Sequence, residues 1–212
     1  MIILDCEQGS QEWLDARLGI PTASEIACLL VDGRALPPFG AGAMTYADTL
    51  VAERFRGIAA SDFVGNAHTE RGHELEPIAV EYYQSCGYSS EPVTVCGMML
   101  NDYMGASPDR LVGSNGGLEI KTLTPQKMVT LLRTGKVDKD HLAQVQATLW
   151  VSGREWWDYL VYCEGMPPYY ERMYRDAVMG DKIEQRVPEF CAMLAELEQA
   201  IISGNMPDKF RG

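Results

Sequence analysis

The spacing of apolar residues changes period along the chain and divides it into a helix-rich start, a strand-rich middle and an alternating end. Over 10–19, Trp13, Leu14 and Leu18 line one side of a short predicted helix that Gly19 and Pro21 stop. Thr22-Ala23-Ser24-Glu25 has the form of a capping box ahead of Ile26, Ala27, Leu29 and Leu30, so a second helix is expected, with the Thr22 side chain bonding a first-turn N–H. A Pro/Gly-rich loop around Arg34 follows, and helical spacing resumes over 44–56 through Tyr46, Leu50, Val51 and Phe55. A longer helix is predicted over 67–86, with Leu75, Ala79, Tyr82 and Cys86 as its stripe and a bend at Pro77.

The period then shortens. Segments 92–100, 105–113 and 117–123 read as strands rich in Val, Leu, Ile and Met, separated by turns at Asn101-Asp102 and Ser114-Asn115-Gly116-Gly117. Helices follow over 125–134 and 138–151, strands over 156–163 and 169–174, and a final helix over 188–202 opening on Pro188. Helices on both sides of a mixed central β-sheet define an α/β fold in one domain over 1–212, without internal repeat or linker.

Composition narrows the function classes. The chain has 212 residues and a formal charge of −12, so a nucleic-acid partner would be repelled at long range and any contact with it must be local. Cys6, Cys28, Cys86, Cys96, Cys163 and Cys191 form no C-x-x-C pair or Cys/His cluster, which argues against zinc or iron–sulfur sites and for reduced, mostly buried thiols. No signal peptide and no membrane-length apolar run is read, so a cytoplasmic protein without membrane contact is expected.

Against this background one constellation carries chemistry: Pro108-Asp109, then Glu119-Ile120-Lys121. On a strand Glu119 and Lys121 share a face about 7 Å apart, while Leu118 and Ile120 point into the core. A two-residue Asn115-Gly116 loop would send Asp109 to the opposite face. A three-residue Ser114-Asn115-Gly116 loop with Gly116 left-handed pairs Gly113 with Gly117 and Asp109 with Lys121, bringing all three together, and is the expected register. Two clustered carboxylates near a phosphodiester repel one another, and a hard divalent cation, Mg²⁺ or Mn²⁺, held by Asp109, Glu119 and the carbonyl of Ile120 would relieve that repulsion. Such an ion activates water, a second can stabilise the leaving oxygen, and Lys121 would orient the attacking water. The alternative is an exposed strand ion pair of small energetic consequence.

The remaining motifs point one way. Glu7-Gln8-Gly9, Trp13, Arg17-Leu18-Gly19-Ile20 and Thr22-Ala23-Ser24-Glu25, then Gly72-His73-Glu74-Leu75-Glu76-Pro77, Ser107-Pro108-Asp109, Leu118-Glu119-Ile120-Lys121 and Ala143-Gln144-Val145-Gln146 resemble, in order, the lambda-type (YqaJ-like) phage alkaline exonucleases of the PD-(D/E)xK superfamily. The resemblance implies a restriction-endonuclease-like core and a Mg²⁺-dependent enzyme, with two ions per site. It also implies a ring-shaped homotrimer that digests one strand of duplex DNA from the 5′ end, processively. The 3′ overhang it leaves would serve a single-strand annealing recombinase in the cytoplasm of a bacterial host. By the same resemblance Arg17, Ser24, Ser107 and Gln144 bind the 5′-phosphate, Glu76 is a third acidic catalytic residue, and Arg34 reaches DNA from its loop. Arg17 with a helix N-terminus capped by Thr22 would give an anion both a donor fork and a positive field. His73, one turn before Glu76, is read as a structural or surface histidine. Where the family carries an apolar strand-splitting wedge, this chain has Ala67-His68-Thr69.

Lys121, Lys127, Arg133, Lys136 and Lys139 against Asp138 make the strongest basic stretch, fit either to line a DNA channel or to form a solvated helix face. Two other classes remain open: a repair or restriction endonuclease on the same core, and a non-catalytic module that binds DNA ends.

Overall fold

The computed structural model describes residues 1–33, 39–59 and 67–211, without the side chains of 67–73. In chain order the elements are β1 (Ile2–Leu4), α1 (Gln11–Arg17), a 3₁₀ turn (Ala23–Glu25), α2 (Ile26–Leu29), α3 (Ala41–Arg56), α4 (Ala67–Ser85), β2 (Val93–Thr94), β3 (Met98–Leu100), β4 (Gly105–Ala106), β5 (Arg110–Val112), β6 (Gly116–Thr122), α5 (Pro125–Thr134), α6 (Lys139–Ser152), β7 (Trp156–Tyr162), β8 (Tyr169–Tyr174) and α7 (Ala177–Ser203). The main sheet runs β2-β5-β6-β7-β8, and β1-β3-β4 form a smaller antiparallel sheet. Only the β6–β7 pair of the main sheet is parallel, as a strand–helix–helix–strand crossover requires.

Alternation along β6 and β7 sorts the core. Leu118, Ile120 and Leu160 pack with Val112 against Ala79 and Tyr83 of α4. On the other face Trp157, Tyr159 and Val161 join Val145, Leu149 and the helices α2, α3 and α7. The sheet therefore lies between α4 and the α6 side, each fully buried aliphatic side chain contributing about 1.5–3 kcal/mol. Glu119 and Lys121 point to the α6 side by the same alternation.

Several expectations change. Segment 92–100 splits into β2 and β3, and 105–113 into β4 and β5, because the two halves of each pair in different sheets. The short strand β1 was not expected; it adds to β3 through its backbone and leaves Ile2 and Ile3 exposed. The last helix begins eleven residues before Pro188, at Ala177, where the Asp176 carboxylate accepts from Met179 N–H at 2.7 Å. Ile183, Val187, Phe190, Leu194 and Leu197 carry one buried stripe straight past the proline. In α4 the buried stripe is Ala79 and Tyr83; Cys86 lies past the helix end and is exposed. Of the thiols only Cys96 and Cys163 are buried. Trp157 is core, while Trp150 stacks on Tyr103 and Tyr170 on Tyr88.

The hairpin register also differs from expectation. Val112 pairs with Gly116, Leu111 with Gly117 and Arg110 with Leu118, and the left-handed residue of the turn is Gly113. Gly116 and Gly117 belong to the strand because a Cβ on either would overlap the ring of Trp156 or Trp157. Arg154 Nη1 donates to the carbonyls of Gly113 and Gly116 and closes the turn. The slip is two residues, so the side-chain faces are unchanged and Asp109 still points to the Glu119 side.

Among the described residues no helix is long and apolar enough to cross a membrane.

Candidate active site

β5 begins at Arg110, and Asp109, one residue before its first backbone pair, turns its carboxylate onto β6: Oδ2 accepts from Ile120 N–H at 2.5 Å. A strand residue sends its N–H and C=O to the same edge, so the Ile120 carbonyl also faces the Asp109 side, away from β7. Glu119, 3% exposed, has Oε1 2.6 Å from Lys121 Nζ. Gln144 on α6 ties the pair together: Lys121 donates to its Oε1 at 2.9 Å, and its Nε2 donates to Glu119 at 2.7 Å. Asp109 thus lies close enough to Glu119 and Lys121 for their charges to act on its carboxyl, and the register, continued one residue past β5, sets it opposite Glu119 rather than Lys121.

The electrostatics reflect the crowding. Burial and then the Glu119 charge push the Asp109 carboxyl well above the usual carboxylate range, with Glu76 adding to the effect; the Lys121 charge and the Ile120 N–H oppose it. Burial alone would lower the Lys121 ammonium, but Glu119 and Asp109 outweigh it and hold the ammonium above its ordinary value. On α6, one turn before Gln144, His141 Nδ1 lies 2.7 Å from the hydroxyl of Tyr159, the residue paired with Glu119 in β7. Burial and then Lys121 lower the His141 pKa.

Glu76 reaches the site from α4, and Arg110 holds it: Nη1 lies 2.6 Å from Glu76 Oε1 and also donates to the Asp109 carbonyl. Gln8 pins the approach to Asp109, donating through Nε2 to the carbonyls of Cys96 at 2.9 Å and Pro108 at 2.8 Å.

Arg17 and Ser107 meet, but Ser24 and Gln144 lie elsewhere in the hydrogen-bond network. Ser107 Oγ accepts from Trp13 Nε1 at 2.8 Å and Arg17 Nη1 at 3.4 Å, which leaves its O–H to donate outward. The Arg17 guanidinium lies 4.3 Å from the Trp13 ring centroid. Ser24 is exposed and contacts Thr22 Oγ1 at 3.2 Å. Thr22 makes no side-chain cap; it is buried and bonds Tyr46 and Ser24, and the segment after it is a 3₁₀ turn leading into a four-residue helix. The expected capping box is therefore replaced by a tertiary contact. Arg17 also lines a cavity of about 500 Å³, together with Trp13, Thr22, Glu25, Tyr46 and Glu53. Its two glutamates make it unsuited to an anion as a whole, so the donors that suit a phosphate are Arg17 and Ser107.

Arg34 and the next four residues of its loop, 35–38, lie outside the described residues, as do the side chains of Ala67-His68-Thr69 and His73; the end of the loop is described, with Phe39 buried and α3 already starting at Ala41. Lys127, Arg133, Lys136 and Lys139 are exposed on α5 and around the start of α6. Among the described residues no group of three or more His, Cys, Asp or Glu side chains forms a ready metal cluster, so the acidic pair with a backbone carbonyl is the candidate donor set.

The comparisons with known proteins support a phage-type exonuclease. The YqaJ-like viral recombinase domain model matches residues 12–155, more than half of the chain, and the protein belongs to that family. Two crystal structures of the alkaline exonuclease LHK-Exo from Laribacter hongkongensis superpose with TM-score 0.79. One, in complex with dAMP, is 31% identical, covering 92% of this chain and 97% of that one. The other is 30% identical with the same coverage. A phage-related exonuclease from Haemophilus somnus 129PT shares the fold at TM-score 0.62 and 15% identity, over 87% of this chain and 96% of its own. No curated relative matches in sequence.

Proposed function

We propose that the protein is a Mg²⁺-dependent exonuclease that engages 5′-phosphorylated ends of linear double-stranded DNA and degrades one strand 5′→3′. The observation that carries this reading is the placement of Ser107 two residues before Asp109. An Arg17–Ser107 donor pair thereby sits beside the Asp109–Glu119–Lys121 cluster, within roughly 7 Å along the backbone. Donors for a terminal phosphate next to carboxylates for hydrolysis favour an enzyme that starts at an end over one that cuts internally.

The acidic pair suits a hard divalent ion. Asp109 and Glu119 oppose a single ammonium, burial and then the Glu119 charge already lift the Asp109 pKa, and the Ile120 carbonyl faces the same side. Mg²⁺ commonly keeps waters and takes only one or two carboxylates, so this set can hold Mg²⁺ or Mn²⁺, with two ions in the full site. Such an ion, when bound, lowers the pKa of a coordinated water and neutralises charge on the phosphate. Lys121, held protonated by its neighbours, donates to and orients the attacking water, with Glu76 as the further carboxylate and Gln144 fixing the Lys121–Glu119 geometry. Processive digestion leaves a 3′ overhang for an annealing recombinase. A homotrimeric ring with the basic α5 region inward and acidic surface outward would enclose the duplex and tolerate the overall negative charge.

Release of nucleotides from linear duplex DNA in Mg²⁺, abolished by EDTA and restored by added Mg²⁺, tests the reading. Release that persists in EDTA contradicts it.

A further inference from the structure

We propose that Arg110 is a positioning residue that locks Glu76 to the backbone of Asp109, so that the two act as one unit. The inference rests on the nuclease reading above and adds to it a residue that the P-D…E-x-K spacing does not include.

Arg110 pairs with Leu118, so its side chain leaves the sheet on the α4 face, opposite to Asp109 and Glu119. There one nitrogen makes both contacts. Nη1 lies 2.6 Å from Glu76 Oε1 and donates to the Asp109 carbonyl, which links a carboxylate on a helix to the main chain of the residue proposed to bind metal. The ion pair is partly sheltered, with the Arg110 and Glu76 side chains 19% and 25% exposed.

Glu76 needs such a tie. Pro77 follows it inside α4 and donates no N–H to the preceding turn, so the helix ladder is interrupted where Glu76 must be held. Farther along, α4 is fixed by packing of Ala79 and Tyr83 and by the Tyr83 hydroxyl on Asp158 at 2.5 Å. Arg110 supplies the corresponding anchor at the Glu76 end. Displacement of a catalytic carboxylate by about 1 Å costs on the order of 100-fold in rate.

The test is a double-mutant cycle of Arg110→Gln and Glu76→Gln on 5′-phosphorylated linear duplex in saturating Mg²⁺, with thermal melting of each variant. The expected result is a fall in kcat of about 10- to 100-fold in each single variant with KM within twofold of wild type. The double variant should be no slower than the slower single one, and Arg110→Lys should recover part of the loss. Losses that multiply, or Arg110→Gln at wild-type kcat while Glu76→Gln is impaired, overturn the proposal. If Arg110→Gln does not fold, the same cycle with Arg110→Lys decides by the same criterion. An inactive wild type would instead refute the nuclease reading itself.

Discussion

Lys121 Nζ stands 2.6 Å from Oε1 of Glu119, two residues back on the same strand face, and Gln144 bonds both partners. An ammonium so placed supplies charge and a donor while it keeps its proton. Lys121→Ala should therefore lower kcat by about 10²- to 10⁴-fold with little change in the KM for DNA ends. Steady-state kinetics in Mg²⁺ measure this, and a variant with near-wild-type kcat would remove Lys121 from the reaction.

Arg17 and Gln144 should part company when assayed on two kinds of end. Arg17 meets Ser107, whereas Gln144 bonds Lys121 and Glu119. Arg17→Ala should slow digestion of 5′-phosphorylated ends at least tenfold while leaving 5′-hydroxyl ends within about twofold, since a lost charge-assisted contact is worth about 1.5–3 kcal/mol. Gln144→Ala should slow both substrates alike. Equal effects of Arg17→Ala on the two ends would place it outside the phosphate site.

Stability should depend on pH through Asp109. Its folded-state pKa is raised by burial and by Glu119, so its contribution is full below the ordinary aspartate value and is lost as pH rises through the folded-state value. Metal-free protein should therefore melt at progressively lower temperature across that interval. Mg²⁺ should offset the fall, and Asp109→Asn should flatten it while abolishing hydrolysis. Melting curves in EDTA and in Mg²⁺ test this; an Asp109→Asn curve parallel to wild type would contradict it.

Away from the chemistry, Asp158 is fully buried on β7 and receives two bonds from Arg172, at 2.7 and 2.8 Å, with the hydroxyls of Tyr83 and Tyr170 at 2.5 and 3.0 Å. Asp158→Ala strands these donors and should cost about 3–5 kcal/mol, read by urea unfolding. A loss under 1 kcal/mol would show that the network relaxes freely.

These relationships mark what the sequence could reveal. Strand β6 and helices α5 and α6 were legible because alternation, a Pro at the first helical position and Asp138 as N-cap all agree locally. Glu119 and Lys121 could be placed on one face for the same reason. Gly116-Gly117 misled because these glycines make room for Trp156 and Trp157, forty residues away, rather than forming the turn. Pro188 misled because a proline inside a helix resembles one at its start unless the buried stripe on both sides outweighs it. Gln8 gave no local signal: its partners lie 88 and 100 residues along the chain. Arg110 adjoined the motif in plain view, but its meaning depends on where α4 places Glu76.

The most direct measurement is digestion of one duplex in three forms, linear with 5′-phosphate, linear with 5′-hydroxyl and covalently closed circular, each labelled at the 3′ end or internally, in Mg²⁺. The expected result is fast release from the 5′-phosphorylated linear form with the 3′ label retained in a long single strand, slower release from the 5′-hydroxyl form and none from the circle. Cleavage of the circle, or early release of the 3′ label, would contradict a 5′-end exonuclease built on Asp109, Glu119 and Lys121.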